Sequence, residues 1–410
     1  MSDVSSPATL LPIDEALAIV AAQITPLEPE PVRLEHAHGR FLAEDLEAAI
    51  DLPPFANSAM DGYALRAVDT PGTLRLIGES AAGSPYAGPE LAAGQAVAIS
   101  TGAVLPGGAD AIAPIEDVSA AGAEIVIAAA VKRGAHIRAA GSDIVRGDPL
   151  LSAGTRIGPA QIGAAAAVGL RELPCRRLPR VAILTTGTEL RPPGEELGPG
   201  QIYDANGPML GAALRTAGGV VELIPAAADT PAAHREALTR ALEHDVVISS
   251  GGVSVGPHDL VRGIGRELGV NELFWRIALR PGKPLTFGIR GRTLLFGLPG
   301  NPVSTLVCFE LFVRPALLSL QGAPEFRPAF GAGVLGSAVQ RNPERDDLIR
   351  VQVAWTSRPG MGRGNAVLLP LAGQQSHQIA VTARADGLAR IPAGTGELPA
   401  GTEVSYLPLH

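Results

Sequence analysis

The chain has 410 residues, with 49 glycines, 36 prolines and a hydrophobic fraction of 46 %. That fraction can bury a core, which argues against a disordered protein, and no collagen or solenoid repeat accounts for the glycines and prolines. The net charge of −8 provides no basic block for a nucleic-acid backbone, so the composition argues against DNA or RNA binding.

The N-terminal part of the chain combines predicted helices with a β-rich stretch. Apolar residues at helical spacing predict a helix over 12–25, which Asp14 can cap, and a second helix over 32–45. From 47 to 146, short runs of Val, Ile and Ala are cut by Gly and Pro, a pattern typical of short strands joined by tight turns. A further helix is predicted over 158–169.

Residues 180–320 alternate between apolar strands and helices. Asn206 can cap one of these helices, and Thr230-Pro231 opens another. Near-continuous apolar strands separated by helices predict a parallel sheet covered on both faces, whereas residues 326–410 predict a separate β-domain. The predicted strands are 181–187, 220–229, 245–252 and 293–302, and the predicted helices are 207–217, 231–244, 258–268 and 303–320.

Three loops of this region carry glycines and polar side chains directly after predicted strands, at 185–189, 249–256 and 299–302. In an open parallel sheet, ligands bind at the edge where the strands end. Glycine backbone N–H groups and nearby helix N-termini favour an anion there. The loops therefore predict a site for a phosphate-bearing ligand; the alternative is that they are ordinary turns.

Charged side chains accompany these loops. Glu189, Asp229 and Asp259 lie at or just beyond strand ends, where carboxylates beside a phosphate need a bridging cation. Mg²⁺ suits that role because it prefers oxygen ligands; helix capping is the alternative role for these carboxylates. Arg276 and Arg280 would face the same side of a predicted strand. They would supply positive charge together with Lys283 (280–284 reads RPGKP), and surface ion pairing is their alternative role.

Other patterns carry weaker signals. Ser254 lies in a GxSxG motif between a strand and a helix, the setting of a hydrolase nucleophile, but only His377 could complete a triad. We therefore expect Ser254 not to react with a fluorophosphonate. The His36-x-His38 pair has too few companions for a zinc site, and the run at 360–365 lacks the last glycine of a dinucleotide-binding motif.

Cysteine usage and the absence of targeting signals point to the cytoplasm. Cys175 and Cys308 sit beside apolar residues, which predicts two buried thiols in a reducing compartment. The N-terminal residues show no basic region typical of a signal peptide. No apolar run reaches the roughly 18 residues that a membrane span needs, so a cytoplasmic protein without a membrane segment is expected.

Longer motifs occur in order along almost the whole chain. With them, the chain resembles the MoeA family of molybdopterin molybdenumtransferases, which includes the E-domain of gephyrin. The motifs are PPFANSAMDGYALR (53–66), TGAVLPGGADAI (101–112), HIRAAGSDI (136–144), TTGTEL (185–190), SGGVSVGPHD (250–259), RPGKP (280–284), FGLPGNPVS (296–304) and the QSH triplet at 375–377.

The resemblance implies the last step of molybdenum cofactor assembly. Adenylylated molybdopterin is bound, its bond to AMP is hydrolysed in a Mg²⁺-dependent step, and molybdate is inserted at the dithiolene. A homodimer is implied, with each active site between the α/β domain of one subunit and the β-rich module of the other. Transient contacts with the molybdopterin adenylyltransferase and with acceptor molybdoenzymes are implied as well.

The resemblance also implies a multi-domain α/β plus β fold. An N-terminal linking domain is expected from residues 1–46 and 147–178, and it carries the inserted β-rich module of residues 47–146. A molybdopterin-binding α/β domain with a central parallel sheet is expected over 179–325, and a C-terminal β-domain over 326–410.

Single residues receive roles from the same resemblance. The implied metal ligands, which also hold the adenylylated pterin, are Glu189, Asp229 and Asp259. These three and Asp61 form the implied catalytic set. The phosphates would lie against Ser250, Gly251, Gly252 and Ser254. The partner subunit would contribute Asp61, Thr101, Arg138 and Asp143. The molybdate and dithiolene side would be lined by Arg276, Arg280, Lys283, Pro299, Pro302 and Ser376.

The chain departs from the family pattern at three positions. Lysine is common where Arg276 and Arg280 stand; arginine keeps the charge but presents a planar fork. Thr188 stands where an aspartate is common, which leaves Glu189 as the metal ligand of that loop. Two alternatives stay open, a molybdopterin adenylyltransferase that shares the α/β domain and a non-catalytic scaffold of the same fold. The Asp61 segment and the intact carboxylates favour the transferase.

Overall fold

The computed structural model describes residues 10–225, 230–251, 260–357 and 363–409. Two compact units are formed, one by Pro31–Cys175 and the other by Met1–Glu30 together with Arg176–His410. The four-part division into linking domain, inserted module, α/β domain and β-domain stays a prediction in its boundaries.

The N-terminal helix α1 (Ile13–Ala21) is shorter than predicted and is not capped by Asp14. It begins after Pro12, and no side chain caps it. Asp14 instead forms an ion pair with Arg390, whose Nη1 lies 3.1 Å from the carboxylate. The apolar face of α1 is buried in the core of the unit to which it belongs.

The unit of residues 31–175 is built mainly from short strands, in agreement with the predicted β-rich texture. One mixed sheet of six strands has the order β7-β4-β6-β5-β9-β8, and Leu65, Leu74 and Ile125 are buried in its core. The elements of this part of the chain are β1 (Pro29–Arg33), β2 (Leu46–Glu47), β3 (Asn57–Ser58), β4 (Gly62–Leu65), β5 (Gly72–Ser80), β6 (Gln95–Ile99), β7 (Ala111–Pro114), β8 (Val118–Ala121), β9 (Glu124–Ile127), β10 (Ile137–Arg138), β11 (Pro149–Leu151), α2 (Pro159–Ala167) and β12 (Glu172–Arg176), with 3-10 turns at Leu34–His36, Ala67–Asp69 and Ile115–Asp117.

The helix predicted over 32–45 is wrong, whereas α2 confirms the one predicted over 158–169. β1 is followed by a single 3-10 turn, and Gly39 then takes a φ of 80°, which ends any right-handed helix. Val32, Leu42 and Ile157 come together in one core from separate segments. The apolar spacing that suggested a helix therefore belongs to irregular chain facing a small core.

The other unit contains a six-stranded sheet with helices and a C-terminal barrel. The large sheet has the order β16-β13-β17-β21-β20-β18. The strands are β13 (Arg180–Thr185), β14 (Leu190–Arg191), β15 (Ile202–Tyr203), β16 (Val220–Pro225), β17 (Val246–Ser250), β18 (Asn271–Trp275), β19 (Leu279–Arg280), β20 (Thr286–Arg290), β21 (Thr293–Leu298), β22 (Gly331–Leu335), β23 (Val339–Gln340), β24 (Asp346–Ser357), β25 (Arg363–Pro370), β26 (Gly387–Ile391), β27 (Glu397–Leu398) and β28 (Glu403–Pro408), and the helices are α3 (Asn206–Thr216), α4 (Pro231–Ala241), α5 (Leu260–Glu267), α6 (Pro302–Cys308), α7 (Arg314–Leu320) and α8 (Ile379–Thr382), with a π-helical stretch at Phe309–Val313.

The four predicted strands form a parallel sheet as expected, and two strands that were not predicted, β20 and β18, extend it. β16, β13, β17 and β21 pair in parallel. β20 runs antiparallel to both of its neighbours, β21 and β18, so β18 points in the same direction as the four parallel strands. On β13, Val181 and Ile183 join one core while Ala182 and Leu184 join another. Burial on both faces explains the continuous apolar strands. β20 and β21 are antiparallel because only a tight turn joins them.

The predicted helix over 303–320 is confirmed as α6, the π-helical stretch and α7, which follow one another without a break. This 19-residue segment is long and apolar enough to cross a membrane, with a mean hydropathy of 1.6, so the expectation that no run reaches that length is wrong. However, 83 % of it is buried inside the protein, which is the environment of a core helix. Phe309 and Phe312 belong to the core that also contains Phe287 and Phe296 of the sheet.

The C-terminal strands form a small barrel. β24 pairs with both β25 and β26, which closes the ring β24-β25-β22-β28-β26 around Val351, Leu368 and Tyr406. β19 adds to β24, with Leu279 opposite Asp346 and Arg280 opposite Asp347. A strand that lies in sequence between β18 and β20 of the α/β sheet is therefore part of the barrel's sheet.

Candidate active site

Three loops meet at the carboxyl edge of the parallel strands. β13, β17 and β21 end side by side, because Thr185 is in register with Ser250 and Ser250 with Leu298. β16 and β17 flank β13 on opposite sides, so the connections leave this edge in opposite directions. Ligands bind at such switch points in open α/β sheets. The prediction that the three loops share one edge is confirmed by this register.

Asn206 links two of these loops instead of capping a helix. Its Nδ2 donates to Ser250 Oγ at 2.8 Å and to Gly300 O at 2.7 Å. The predicted cap is wrong because α3 begins at Asn206 itself, and the carboxylate of Asp204 accepts from the Gly207 N–H at 2.9 Å. The Oδ1 of Asn206 is buried without a hydrogen-bond partner in the described part of the chain. This oxygen is therefore an acceptor without a partner at the carboxyl edge of the sheet.

Two glycines allow side chains to lie against the loop backbone. A Cβ at Gly187, where φ is 143°, would lie 2.7 Å from both carboxylate oxygens of Glu189. A Cβ at Gly251, where φ is 90°, would lie 3.1 Å from Thr186 Oγ1. Glycine at these positions therefore lets the Glu189 carboxylate lie against Gly187 in its own loop and lets Thr186 pack beside the end of β17.

The implied metal ligands fall only partly within the described residues. Glu189 is described, whereas Asp229, Asp259, Gly252 and Ser254 lie outside the described residues. Within the described ranges, no three His, Cys, Asp or Glu side chains gather into a metal-binding group. The donors that are described at this edge, the Glu189 carboxylate and Asn206 Oδ1, are oxygens of the kind that Mg²⁺ prefers. The donor chemistry thus fits Mg²⁺.

A cleft of about 570 Å³ opens beside the 299–302 loop, lined by segments of the α/β region and of the barrel. It brings together four of the residues predicted for the molybdate side: Arg280, Lys283, Pro299 and Ser376. Arg345 adds a third cation and Asp347 is the anion among the described lining residues. The lining is therefore net positive although the chain carries a net charge of −8.

Arg280 and Asp347 form a two-bond ion pair in this cleft. Arg280 Nε donates to Asp347 Oδ1 at 2.6 Å, and its Nη2 donates to Oδ2. The Asp347 residue is 1 % exposed, whereas the Arg280 side chain is half exposed. Burial raises the pKa of the Asp347 carboxyl group, while the Arg280 guanidinium acts to lower it. The pairing of β19 with β24 places the two residues opposite each other.

A chain of hydrogen bonds joins the cleft to the sheet edge. Asn301 Nδ2 donates to Ser376 Oγ at 2.9 Å. The neighbouring Gly300 carbonyl accepts from Asn206, which also donates to Ser250. The glycine-rich edge and the positively lined cleft are therefore connected through side-chain hydrogen bonds to the adjacent residues Gly300 and Asn301.

Arg350 supports the loop that carries Ser376. This arginine is 1 % exposed, and its Nε donates to Gln374 Oε1 at 3.2 Å while its Nη1 donates to Gln375 O at 3.1 Å. Burial lowers the pKa of Arg350. Pro302, also predicted for this side, begins α6 and is not among the residues that line the cleft.

The prediction that Arg276 and Arg280 face the same side of one strand is wrong. β18 ends at Trp275, Arg276 takes a φ of 70°, and β19 then belongs to the sheet of the barrel. The guanidinium carbon of Arg276 lies 3.8 Å from the centroid of the Trp275 ring, a cation–π contact. The structure thus places Arg276 outside the cleft lining.

The remaining predicted residues lie in the unit of residues 31–175. Asp61 Oδ1 accepts from the Thr101 backbone N–H at 2.7 Å and from Thr101 Oγ1 at 3.0 Å. These two bonds, the backbone bond most strongly, lower the pKa of the exposed Asp61 carboxyl group. Arg138 lies on β10, which pairs with β3, and the Asp143 N–H donates to Leu52 O at 2.9 Å. Asp61 and Thr101 are therefore joined as one group.

Three family models match the chain in order. The MoeA N-terminal region (domain I and II) matches residues 11–169, a probable molybdopterin binding domain matches 182–319, and the MoeA C-terminal region (domain IV) matches 332–409. The chain belongs to the MoeA family. Molybdopterin molybdenumtransferase 2 of Mycobacterium tuberculosis is 36 % identical over 407 residues, which are 96 % of this chain and 98 % of that protein.

Further MoeA relatives agree in sequence and in structure. The molybdopterin molybdenumtransferase of Haemophilus influenzae is 38 % identical over 331 residues, 79 % of this chain and 81 % of that protein. A molybdopterin biosynthesis MoeA protein of Pyrococcus horikoshii superimposes with a TM-score of 0.82 at 33 % identity, over 98 % of this chain and 100 % of that one. The MoeA resemblance, the α/β plus β fold class and a place among the enzymes of molybdenum cofactor biosynthesis are confirmed.

Sequence reasoning missed several polar residues of this MoeA cleft. Asp347 lies at the start of β24, Arg345 directly precedes that strand, and Gln374 precedes Ser376 in the supporting loop. No motif in the sequence connects them with the RPGKP segment. The connection arises because β19 pairs with β24, a contact between distant segments that local patterns do not encode.

Proposed function

We propose that this MoeA protein inserts molybdate into adenylylated molybdopterin, in a Mg²⁺-dependent reaction that releases AMP. The observation that carries the proposal is the polar path from the glycine-rich edge to the positive cleft through Asn206, Gly300, Asn301 and Ser376. One substrate carries phosphates and the other is an oxyanion, so a single site needs two sets of donors. The relatives named molybdopterin molybdenumtransferase support the same reaction.

The sheet edge would bind the phosphate-bearing end of the pterin substrate. Ser250 and Gly251, with Gly252 and Ser254 of the same loop, would supply hydroxyl and backbone N–H donors, because glycine allows close approach of the backbone. These groups would hold the bond to AMP in a fixed position. Positioning and charge stabilisation supply most of the rate in reactions at phosphorus.

The cleft would bind molybdate and the dithiolene end. Lys283, Arg345 and Arg280 would donate charge-assisted hydrogen bonds to molybdate oxygens. The hydroxyl of Ser376, already held by Asn301, would add a neutral contact. Pro299 would present apolar surface toward the dithiolene sulfurs.

The metal ligands would be Glu189, Asp229 and Asp259. Bound Mg²⁺ would offset the negative charge on the phosphate oxygens. Support for this assignment comes from the oxygen donors of the described edge, the Glu189 carboxylate and the buried Oδ1 of Asn206.

We also infer a homodimer in which Asp61, Thr101, Arg138 and Asp143 complete the site of the partner subunit. The Asp61–Thr101 group supports this because its exposed carboxylate is fixed and its pKa is lowered. Mixing inactive Asp61→Asn subunits with inactive Glu189→Gln subunits would restore about a quarter of the activity if the sites are shared. No recovery after subunit exchange would contradict shared sites.

Transient contacts with the adenylyltransferase and with acceptor molybdoenzymes remain proposals, as does the cytoplasmic location. The location is supported by the two cysteines, Cys175 and Cys308, which are both buried thiols as predicted. Burial raises the pKa of the Cys308 thiol, which makes it unreactive.

The proposed reaction is tested with purified protein, adenylylated molybdopterin, molybdate and Mg²⁺. We expect AMP release together with formation of active molybdenum cofactor, and neither when Mg²⁺ is chelated. Formation of adenylylated molybdopterin from ATP and molybdopterin would instead support the adenylyltransferase. Binding without turnover of either kind would support the scaffold.

A further inference from the structure

The cleft that is proposed to bind an oxyanion contains a carboxylate. Asp347 is 1 % exposed and lines the cleft together with Arg280, Lys283 and Arg345. Like charges repel more strongly where water is excluded. The carboxylate therefore weakens binding of an oxyanion unless it contributes in another way.

We propose that Asp347 is a positioning residue that holds the Arg280 guanidinium in one orientation for the oxyanion substrate. The proposal rests on the proposed function, because it takes molybdate as the anion that Arg280 contacts. It assigns Asp347 an action through Arg280 rather than direct contact with substrate.

The geometry of the pair leaves donors for a ligand. Asp347 takes the Nε–H and one Nη2 hydrogen of Arg280. A guanidinium has five N–H donors in a rigid plane, so three remain in directions set by the ion pair. The half-exposed side chain of Arg280 lines the cleft and can present them there. Its rotational freedom is lost on folding rather than on substrate binding.

The strand register selects Asp347 and not its neighbour. Arg280 stands opposite Asp347 in the β19–β24 pair. The adjacent Asp346 has different partners, since its carboxylate accepts from Arg390 Nε at 2.8 Å and from the Ala393 N–H at 2.9 Å. Two neighbouring carboxylates of the same strand thus differ in whether they contact the cleft arginine.

Arginine and the buried carboxylate are matched at this site. The single ammonium group of a lysine could not make the parallel pair of bonds that the Arg280 guanidinium makes with Asp347. In this chain the Arg280 guanidinium therefore depends on Asp347 for its orientation. A lysine at the same position would keep the charge and lose the fixed donor directions.

A simple ion pair between β19 and the barrel would predict the opposite sign of effect. Replacing Asp347 with Asn removes one negative charge from the cleft and keeps the side-chain shape. If charge alone mattered, molybdate would bind more tightly to the variant. If Asp347 positions Arg280, molybdate binds more weakly although the cleft has become more positive.

The test measures molybdate binding by calorimetry and the molybdate KM of the transferase reaction. For Asp347→Asn we expect the Kd and the KM to rise about tenfold, the effect of losing one oriented charge-assisted hydrogen bond. The maximal rate at saturating molybdate should change much less. An unchanged or lower Kd in a folded Asp347→Asn protein would overturn the proposal.

Two further variants test the proposal even if Asp347→Asn alone fails to fold. Arg280→Lys leaves the buried carboxylate in place and should also weaken molybdate binding; binding equal to that of the wild type would contradict the proposal. In the Arg280→Lys background, Asp347→Asn should have no further effect, and full additivity of the two changes would also contradict it.

Asp346→Asn is the matched control. It removes the same charge from the neighbouring residue without touching Arg280, so the molybdate Kd should stay at the wild-type value. An increase as large as that of Asp347→Asn would show that any carboxylate of this strand end has the effect, and the positioning role would be wrong. Calorimetry needs no turnover, so absence of AMP release by the wild-type protein would refute the transferase reaction separately.

Discussion

In the α/β sheet (β16-β13-β17-β21-β20-β18), polar groups at the amino edge differ from those at the carboxyl edge in their hydrogen bonding. At the amino edge, the carboxylate of Asp245 accepts from Arg177 Nη1 and Nη2, both at 2.7 Å, and from the Arg180 N–H at 2.8 Å. At the carboxyl edge, the buried Ser249 Oγ and Asn206 Oδ1 have no hydrogen-bond partner within the described ranges. The Asp245 carboxylate at the amino edge is thus fully paired within the fold, whereas these two oxygens at the carboxyl edge are not.

Near the amino edge, a buried histidine also has hydrogen-bond partners for its polar atoms within the fold. His244 Nε2 lies 2.9 Å from the Glu222 carboxylate and Nδ1 lies 3.2 Å from Ala241 O. Both ring nitrogens of this buried side chain therefore meet an acceptor. In the cleft at the other edge, by contrast, cations outnumber anions among the described lining residues. Polar groups at the amino edge are thus paired within the fold, and the excess of cations in the cleft agrees with the proposed binding of an anionic substrate.

The largest expected effect is on activity at the carboxyl edge. Lys283→Met keeps the apolar stem of an exposed side chain and removes a cation from the cleft. Loss of a charge-assisted contact to molybdate should lower kcat/KM for molybdate about tenfold to a hundredfold. Because the ammonium group is exposed, the free energy of unfolding should change by less than about 0.5 kcal/mol. A large loss of stability with unchanged kcat/KM would contradict the division between the two edges.

The next effect is on stability at the amino edge. Asp245→Asn breaks the pair of bonds with Arg177 and should lower the free energy of unfolding by about 1–3 kcal/mol in urea titrations. The kcat/KM for molybdate should stay at the wild-type value. Glu325→Gln, which removes the partner of the exposed Arg327, is the control and should be nearly neutral. A loss of activity in the folded Asp245→Asn protein would contradict the expected difference between the amino edge and the carboxyl edge.

The Asp245 effect should depend on pH with a definite sign. Burial acts to raise the pKa of Asp245, but the hydrogen bonds from the Arg177 side chain and the Arg180 N–H outweigh it and lower the pKa. The stabilisation is complete above the pKa of an unfolded aspartate, about 3.9, and is lost as pH falls through the lower folded value. The difference in unfolding free energy between wild type and Asp245→Asn should therefore shrink below about pH 4. A difference that grows on acidification would contradict this assignment.

The smallest expected effect is a gain in stability at the carboxyl edge. Ser249 is fully buried at the end of β17, and Ser249→Ala removes its unpartnered hydroxyl without leaving a large cavity. Stability in the absence of ligand should rise by about 1 kcal/mol, since an unsatisfied buried hydroxyl is removed. The measurement is the midpoint of thermal unfolding without substrate. A clear decrease would indicate that the hydroxyl is already satisfied in the free protein.

Much of the site's location followed from the sequence alone. The strands of the parallel region and the glycine-containing loops after them were predictable, because apolar runs and loop residues are local signals. The rule that parallel strands end at one edge then placed Thr185, Ser250 and the 299–302 loop together, as their register confirms. The MoeA motifs pointed to the same segments.

The tertiary structure alone decided which charged groups share the cleft. Arg280 meets Asp347 across 67 positions of sequence, because β19 leaves the α/β sheet and joins the barrel. Arg276, only four positions from Arg280, is turned onto Trp275 by a left-handed backbone conformation. Composition showed a net charge of −8 and could not show a positive cleft. Local patterns encode where strands and turns form, whereas pairing between distant strands determines which side chains meet.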